Sequence, residues 1–448
     1  MATYGNFPGV QVETAGGGIT SVGVGAEEKL VLFGRADLSG QNSASANDPQ
    51  QIAARFEADR LFGSDSPLAS AMRSALTNGA NIDFLYGVAP EMSGAGSDID
   101  PSQDTPTESD SAASTGTLSD APIVEDSDFY AVYDSTDATE ATVELVYEET
   151  PTAPADADTV AINPLNGKWA ADSSSDYDFF YNYLDWGAAF DAADSVVGEG
   201  ETGIYVPLTD AESVASTLAT KIDSLRDEYQ LVLGLSGAQP NATGTEYAEF
   251  APATYTDNID DDYMFLAAPA RLTDGSYILG ALAGVFAGNG IDNPAYNDVV
   301  DAGDADLVQK LTRSDAVDMR LENTIPLRQA ASIRIKGNLS TSTETDWERD
   351  FWRRRIVDRA ILIAQQVGED TIGLINDEET REAAERTIEV QLQSLANDRL
   401  IRDNDGTAQN FFVDVYPESS NTNEVNIDFG ITPYGIVKRV DVSLTINT

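Results

Sequence analysis

The sequence contains no cysteine and no histidine. Without cysteine there is no disulfide framework, no thiolate nucleophile and no thiolate metal site. Without histidine the commonest general base and metal ligand is missing. Lysine is scarce: Lys29, Lys168, Lys221, Lys310, Lys336 and Lys438 are the only ones, and the other basic residues are arginines. Against 26 basic residues stand 76 acidic ones, a formal charge of −50. A chain this acidic lacks the cationic footprint that nucleic-acid binding needs, so no direct nucleic-acid partner is expected. Long hydrophobic runs are missing too. The longest, Ile278 to Ala287, is far short of a membrane span, and no membrane insertion is expected. The opening MATYGNFPG has neither a basic region nor an apolar one, so no signal peptide is expected and synthesis in the cytoplasm is.

The same gaps weigh against catalysis. Nucleophile chemistry would fall to a Ser-Lys or Thr arrangement, yet no GxSxG, SxxK or phosphate-binding loop is present. Carboxylate pairs carry no weight in a chain so rich in acids. The expectation is therefore no enzyme, with no catalytic residue, cofactor or metal. Two clusters resemble calcium loops, Asp301-Ala-Gly-Asp304-Ala-Asp306 and Asp403-Asn-Asp405-Gly406. Neither supplies the downstream bidentate glutamate, and a solvated turn is the competing reading. Asn241-Ala-Thr and Asn338-Leu-Ser are glycosylation sequons, which matter only if exposed.

What is present is a globular, salt-adapted composition. Hydrophobic residues make up 42%, too many for a disordered acidic tail. At −50 the chain repels itself in dilute buffer, whereas at molar salt the screening length falls to roughly 3 Å. Dense Asp and Glu with little Lys is thus the composition of a protein working in near-saturated salt, which points to an extreme halophile.

Along the chain the periodicity switches between strand and helix. An extended opening (Val10 and Val12 on one face) runs into Gly16-Gly17-Gly18. Lys29 to Gly34 reads as a buried strand, Pro49 to Phe62 and Pro67 to Thr77 as helices, and Ile82 to Val88 as a second strand, with Asn78-Gly79 as a C-cap between. Between Arg73 and Lys168 no basic residue occurs. Residues 91–121 read as a loop or linker, and Phe129 to Tyr133 with Ala141 to Tyr147 as hairpin strands. The aromatic run Tyr177 to Trp186 reads as core of that small domain rather than a recognition surface. The α/β rhythm then resumes with Gly203 to Val206, a helix over Asp210 to Asp227, and strands Leu231 to Leu235 and Met264 to Pro269. Tyr277 to Gly288 is rich in small residues and suits close backbone packing.

Residues 310–359 are the one stretch of that length with a net positive charge. A helix over Trp347 to Val367 presents Trp352, Ile356, Ala360, Ile363 and Val367 on one face. A second helix starts near Asn376, with Asn376 and Glu379 as a capping box and Ile388, Leu392 and Leu395 inward. Strands Phe411 to Val415 and Val425 to Phe429 follow. In the final segment Val440, Val442, Leu444 and Ile446 alternate strictly with polar residues, the mark of a half-buried strand. Terminal strands must pair with something. Whether these two pair within their own domain or with neighbours is open on periodicity alone.

In this order the segments resemble the tail sheath proteins of contractile phage tails and contractile injection systems. The likeness rests on the PGV-x-V-E opening (Pro8 to Glu13), the strand ending in Phe33-Gly34, the helix–helix–strand closed by Asn78-Gly79, and the Tyr277–Gly288 segment after a strand ending in Pro269. The Arg-rich helix, the second helix ending in Leu400-Ile401 and the alternating last strand complete it. The family's aromatic–Gly–Ala–Arg-Thr run is replaced here by Ile333-Arg-Ile-Lys-Gly337. The resemblance implies an α/β and α+β multidomain fold: an N-terminal arm (1–25), a core domain in two parts (26–90 and 201–320), an inserted solvent-facing acidic β-rich domain (91–200), a C-terminal inner domain (321–435) and a C-terminal arm (436–448). It implies a structural subunit that self-assembles as stacked hexameric rings around a tail tube protein, alongside baseplate and tail terminator proteins, and contracts to drive the tube through an envelope for genome ejection or injection. The particle would be a virion tail or a contractile injection device assembled in the host cytoplasm. Val10, Val12, Val440, Val442, Leu444 and Ile446 would be inter-subunit arm strands. Arg349, Arg353, Arg354 and Arg355 would face the tube or a neighbour, or else pair locally with Glu348, Asp350 and Asp358. The alternative from another class is a static surface-layer or shell protein of a halophile.

Overall fold

The structure, a computed structural model, describes residues 28–434 apart from 40–43, 97–98, 100, 102–103, 126–128, 148–149, 157, 239–258, 322, 343–349, 405–409 and 418–424. The chain divides into two compact units, one holding 26–358 and the other 359–432.

The first unit is organised by a nine-stranded sheet in the order β13-β15-β14-β12-β11-β10-β1-β3-β2. Its elements in chain order are β1 (Lys29–Phe33), β2 (Gln50–Gln51), α1 (Arg55–Phe62), α2 (Pro67–Thr77), β3 (Leu85–Val88), then α3 (Trp186–Ala192), β10 (Thr202–Pro207), α4 (Glu212–Asp227), β11 (Leu231–Gly237), β12 (Met264–Ala268), α5 (Leu279–Gly288), β13 (Val299–Val300), α6 (Arg313–Leu321), β14 (Ile325–Gln329) and β15 (Ile333–Ile335). The six strands β3, β1, β10, β11, β12 and β14 run parallel. β2, β15 and β13 add antiparallel edges. Parallel strands are covered on both faces, which is why LVLF in β1 and LVLGL in β11 read as unbroken apolar runs. In β1, Leu30 and Leu32 join the core under α1, α2 and α5, while Val31 and Phe33 join the one under α3 and α4.

Several boundaries differ from the sequence expectation: Ile82–Phe84, expected as the start of a strand, is a 3-10 turn before β3. The helix expected from Pro49 begins at Arg55, because Gln50 and Gln51 pair with β3 and the Glu57 carboxylate accepts the Ala53 N–H at 2.7 Å, fixing the helix start there. Residues 91–121, expected as a loop, hold two strands. These are β4 (Glu91–Gly94) and β5 (Glu108–Thr117), and both pair with the long β9 (Lys168–Asp185). Ser, Thr and Asp fill β5 because it is an edge strand whose residues are largely half-exposed, so ladder bonds to β9 rather than burial hold it.

β9 also pairs with β8 (Thr159–Ile162) and then with β6 (Tyr130–Asp134), and β7 (Thr139–Leu145) bridges those two. The ring β9–β6–β7–β8 thereby closes on itself. Trp169, Tyr177, Phe179 and Tyr181 from β9 fill it, with Trp169 centred 4.9 Å from Phe179 and 5.6 Å from Tyr177. Alternate aromatic residues on one strand point to one face, so the aromatic run packs as core.

The residues 359–432 hold most of α7 (Phe351–Thr371), then α8 (Glu378–Asn397), β16 (Phe411–Pro417) and β17 (Val425–Ile431). α8 is capped by Asp377, which accepts from Thr380 N at 2.9 Å, one residue later than expected; Asn376 instead accepts from Arg381. Ile388, Leu392 and Leu395 form its buried stripe, and the helix lies against β16. β16 and β17 are antiparallel, and among the described residues their sheet holds only these two strands.

Candidate functional site

In a parallel sheet of this kind a ligand cleft opens beyond the carboxyl ends of the strands, where the strand order reverses. Here that point lies between β1 and β10, and the chain fills it. Leu208, just after β10, donates its N–H to Phe33 O at 2.7 Å, and its side chain lies so near Gly34 that an added Cβ would sit 2.7 Å from Cδ1. Beside it, Arg271 follows β12 and meets Asp210, which follows β10. Arg271 Nε donates to Asp210 Oδ2 at 2.6 Å and Nη2 to Oδ1 at 2.8 Å. The same guanidinium makes a second fork to Glu125, with both bonds at 2.8 Å, and donates to the Tyr147 hydroxyl at 2.9 Å. Tyr277 donates to Asp210 at 3.1 Å.

An arginine has five N–H donors, and these contacts engage all of them. No donor remains for a substrate. Burial and the Glu125 charge push the Tyr147 hydroxyl well above the usual tyrosine range, so it stays a proton donor. The guanidinium is pulled up by Asp210 against the opposing effect of burial. Glu125 and Tyr147 belong to the segment between β5 and β8, whereas Asp210, Arg271 and Tyr277 belong to the nine-stranded sheet and its loops. The chemistry of the cleft is therefore that of a clamp between the inserted sheet and the core. Nothing in the sequence reading singled these residues out. The one available signal was that Arg271 is the sole basic residue between Arg226 and Lys310.

A second set of buried ion pairs fixes the first two turns of α7. Phe351 stacks on Phe286 at 4.4 Å and meets Phe265 edge-on at 4.9 Å. Trp352 donates to Ile291 O. Arg355 donates to Glu28 at 2.7 Å and to Asn289 O at 2.9 Å. Asp358 accepts a fork from Arg226 of α4, and Arg354 pairs with Asp262 at 3.3 Å. The Tyr263 ring carries both guanidinium groups, Arg226 at 3.8 Å and Arg354 at 4.6 Å from its centre. Burial pushes the Glu28 carboxyl up, while Arg355 draws it down.

Arg354 and Arg355, expected at a tube or neighbour surface or in local pairs, are buried in the chain and paired with Asp262 and Glu28, because a desolvated guanidinium needs a carboxylate beside it. Of the local partners considered, Asp358 pairs with Arg226 instead. Arg353 is half-buried, and Arg349 lies outside the described residues. Val10, Val12, Val440, Val442, Leu444 and Ile446 also lie outside them. Asn338 of the second sequon is buried and donates to Asp350 at 2.9 Å, which closes it to modification. In the first calcium-like loop Asp306 is engaged by Lys310 and Gln329, and Asp405 of the second is outside the described residues.

Asp261, which precedes β12, gives this region a pH signature. Burial, helped by the nearby Asp223, pushes its carboxyl up to about 6, against a 2.6 Å hydrogen bond from Tyr263 N. The folded chain then holds this proton over pH 4–6, where the unfolded chain has released it, so stability falls as pH rises through that window. Asp261→Asn is expected to flatten the fall and to raise stability at pH 7.5, with a ceiling of about 3 kcal/mol for a two-unit shift. Urea midpoints at pH 4 and pH 7.5 measure this; an equal effect at both would refute it.

In the second unit exposed apolar side chains include Val390 on α8 and two further groups. Ile372, Leu374 and Ile375 in the α7–α8 turn are 55%, 62% and 77% exposed, and Phe412 and Tyr416 project from β16. A two-stranded ribbon is marginal alone and typically gains stability from added strands or a covering helix.

No protein-family model matches the sequence, and no curated protein matches it. Solved structures do match the fold. A chain of the anti-feeding prophage helical sheath in the contracted state aligns with a TM-score of 0.57 at 13% identity, covering 98% of this chain and 99% of that one. A chain of the PVC sheath complex, an extracellular contractile injection system in the contracted state, gives 0.54 at 12% identity over 99% and 98%. The sheath tail protein of Listeria innocua gives 0.53 at 13% identity over 92% and 93%. Among the described residues no helix is long and apolar enough to cross a membrane. At these identities the likeness is one of fold, and it extends over nearly the whole chain: this protein is built like the sheath proteins of contractile tails and injection particles.

Proposed function

We propose that this chain is a structural subunit of a contractile sheath, in a virus tail or an injection particle. The observation that carries the reading is coverage: 98–99% of this chain aligns with single sheath chains. The filled cleft supports it, because the position where an α/β enzyme would bind its substrate is occupied by Leu208 and a saturated arginine clamp. In this reading subunits stack as hexameric rings around a tube, with baseplate and terminator proteins at the ends. Contraction would be a rigid-body rearrangement of a bistable assembly, driven by contacts between subunits. The inserted domain 91–200 would face solvent and the domain 321–435 would lie inward. The acidic composition would suit a halophilic host.

Electron microscopy of the purified protein from molar to 0.1 M NaCl tests this. Tubes with a helical lattice in high salt are expected; flat sheets would favour a static shell, and isolated particles at every salt would refute both.

The arms make a sharper prediction. Among the described residues the β16–β17 sheet holds two strands, and we assign the terminal segments of neighbouring copies to it. Val442→Asp with Leu444→Asp keeps the backbone and charges the apolar face of the C-terminal segment. The double variant is expected to remain folded by circular dichroism and to lose polymerisation. Normal tubes from it would end the arm assignment.

A further inference from the structure

With acids outnumbering bases 76 to 26, a cation with no carboxylate beside it needs a reason. Three such cations share the strand pair β14–β15. Arg328 stands directly opposite Arg334, and Lys336 lies two residues beyond Arg334 on the same face. Leu327, Ile333 and Ile335 alternate with them and point into the core on the other side. Among the described residues none of the three cations has a carboxylate partner. Arg334 donates to Asn297 O at 2.9 Å, Lys336 donates to the Asn297 side chain, and the buried Nε of Arg328 has no acceptor among the described residues. Like charges directly across a sheet destabilise it. The Lys336 ammonium is held below its usual range by burial and by Arg334 and Arg328. Val299, paired with Arg334 on β13 and 45% exposed, adds an apolar rim.

We propose that this patch is the basic half of a contact between copies of the chain, docking onto an acidic surface of a second copy. The complement is abundant, since every copy carries −50. The patch cannot dock onto its own equivalent, because that would face cation with cation. The contact therefore joins two different surfaces, and such heterologous contacts propagate into rings or helices. Ion pairs desolvated at an interface are screened less than exposed ones, so the contact persists in salt that suppresses the general repulsion. This inference rests on the self-assembly proposed above and names one surface that would perform it.

The test uses the full chain carrying Arg328→Gln, Arg334→Gln and Lys336→Gln together. The monomer is expected to melt at the same temperature or higher, since repulsion is relieved, while the critical concentration for polymerisation rises at least tenfold. Alongside it, a zero-length carbodiimide is applied to a mixture of isotopically heavy and light wild-type chains. Lys336 is expected in heavy–light amide links to Asp or Glu, lost in Lys336→Arg without loss of polymer. Unchanged polymerisation of the triple variant, or Lys336 links confined to single copies, would overturn the proposal. If the wild type forms no polymer at any salt, the sheath reading fails separately. Heavy–light links through Lys336 would then still uphold the patch, and their absence would overturn it.

Discussion

Replacing Arg271 with alanine is expected to destabilise the first unit by about 3–5 kcal/mol, the range for removing one partner of a buried ion pair. The cost does not lie in the lost attraction. It lies in what stays behind: Asp210, whose side chain is fully buried, and Glu125, both left without the cation that balances them and with only a tyrosine hydroxyl each from this cluster. The penalty should therefore shrink in acid, where a lone carboxyl takes up a proton, and be largest near pH 8. Arg271→Lys should fall between, since one ammonium cannot reproduce two forks. Because Glu125 and Tyr147 lie in the segment between β5 and β8, the variant should also expose the 91–185 region to limited proteolysis before the core yields. The companion variant Arg271→Met with Asp210→Leu removes the charge together with its closest partner, and should cost clearly less than Arg271→Ala. If the double change were as damaging as the single, shape rather than unpaired charge would be the cause. Urea unfolding of the three variants at pH 5 and pH 8 separates these outcomes.

How far the sequence could be read depended on the distance over which each feature is encoded. Strands β1, β10, β11 and β12 were readable because burial on both faces writes an uninterrupted apolar run into four to seven adjacent residues. α4 and α8 were readable from apolar stripes, Val214, Leu218, Ile222 and Leu225 in one and Ile388, Leu392 and Leu395 in the other. β5 was not, because an edge strand of Ser, Thr and Asp has the composition of a loop and is defined only by its partner β9. The Arg271 clamp joins residues 61 and 146 positions apart, and the Glu28–Arg355 pair spans 327. No local pattern carries that information. The arginines of α7 illustrate the same limit. Their charge was visible, but whether a guanidinium faces solvent or a buried carboxylate is decided by where Glu28 and Asp262 arrive in three dimensions. The helical phase of α7 was itself correct, with Trp352, Ile356, Ala360, Ile363 and Val367 all buried.

The small-residue segment 277–288 leads to the second large effect, a valine at Gly284. Gly280, Gly284 and Gly288 recur every four residues along one face of α5, opposite Ala71, Ala75 and Gly79, the first two on α2 and the third just beyond it. A Cβ at Gly280 would stand 2.6 Å from Ala71 O, and one at Gly284 would stand 2.7 Å from Ala75 Cα. The obstacle is backbone, which no rotamer change can move. An alanine at Gly284 should gain about 1 kcal/mol in helix propensity and still lose on balance, because the two helices must separate along their whole contact. A valine adds two further carbons and a β-branch, and should cost about 3 kcal/mol or more. The control is Gly187 in α3, a helical glycine whose added Cβ would meet nothing nearer than Asp185 Oδ1 at 3.7 Å. Gly187→Ala should stabilise by roughly 0.5 kcal/mol. The two alanine variants thus carry opposite signs, and thermal unfolding reads both. Stabilisation by alanine at Gly284 would mean that α2 and α5 are not held at backbone contact, and that the glycine spacing marks something other than the closeness of the two helices.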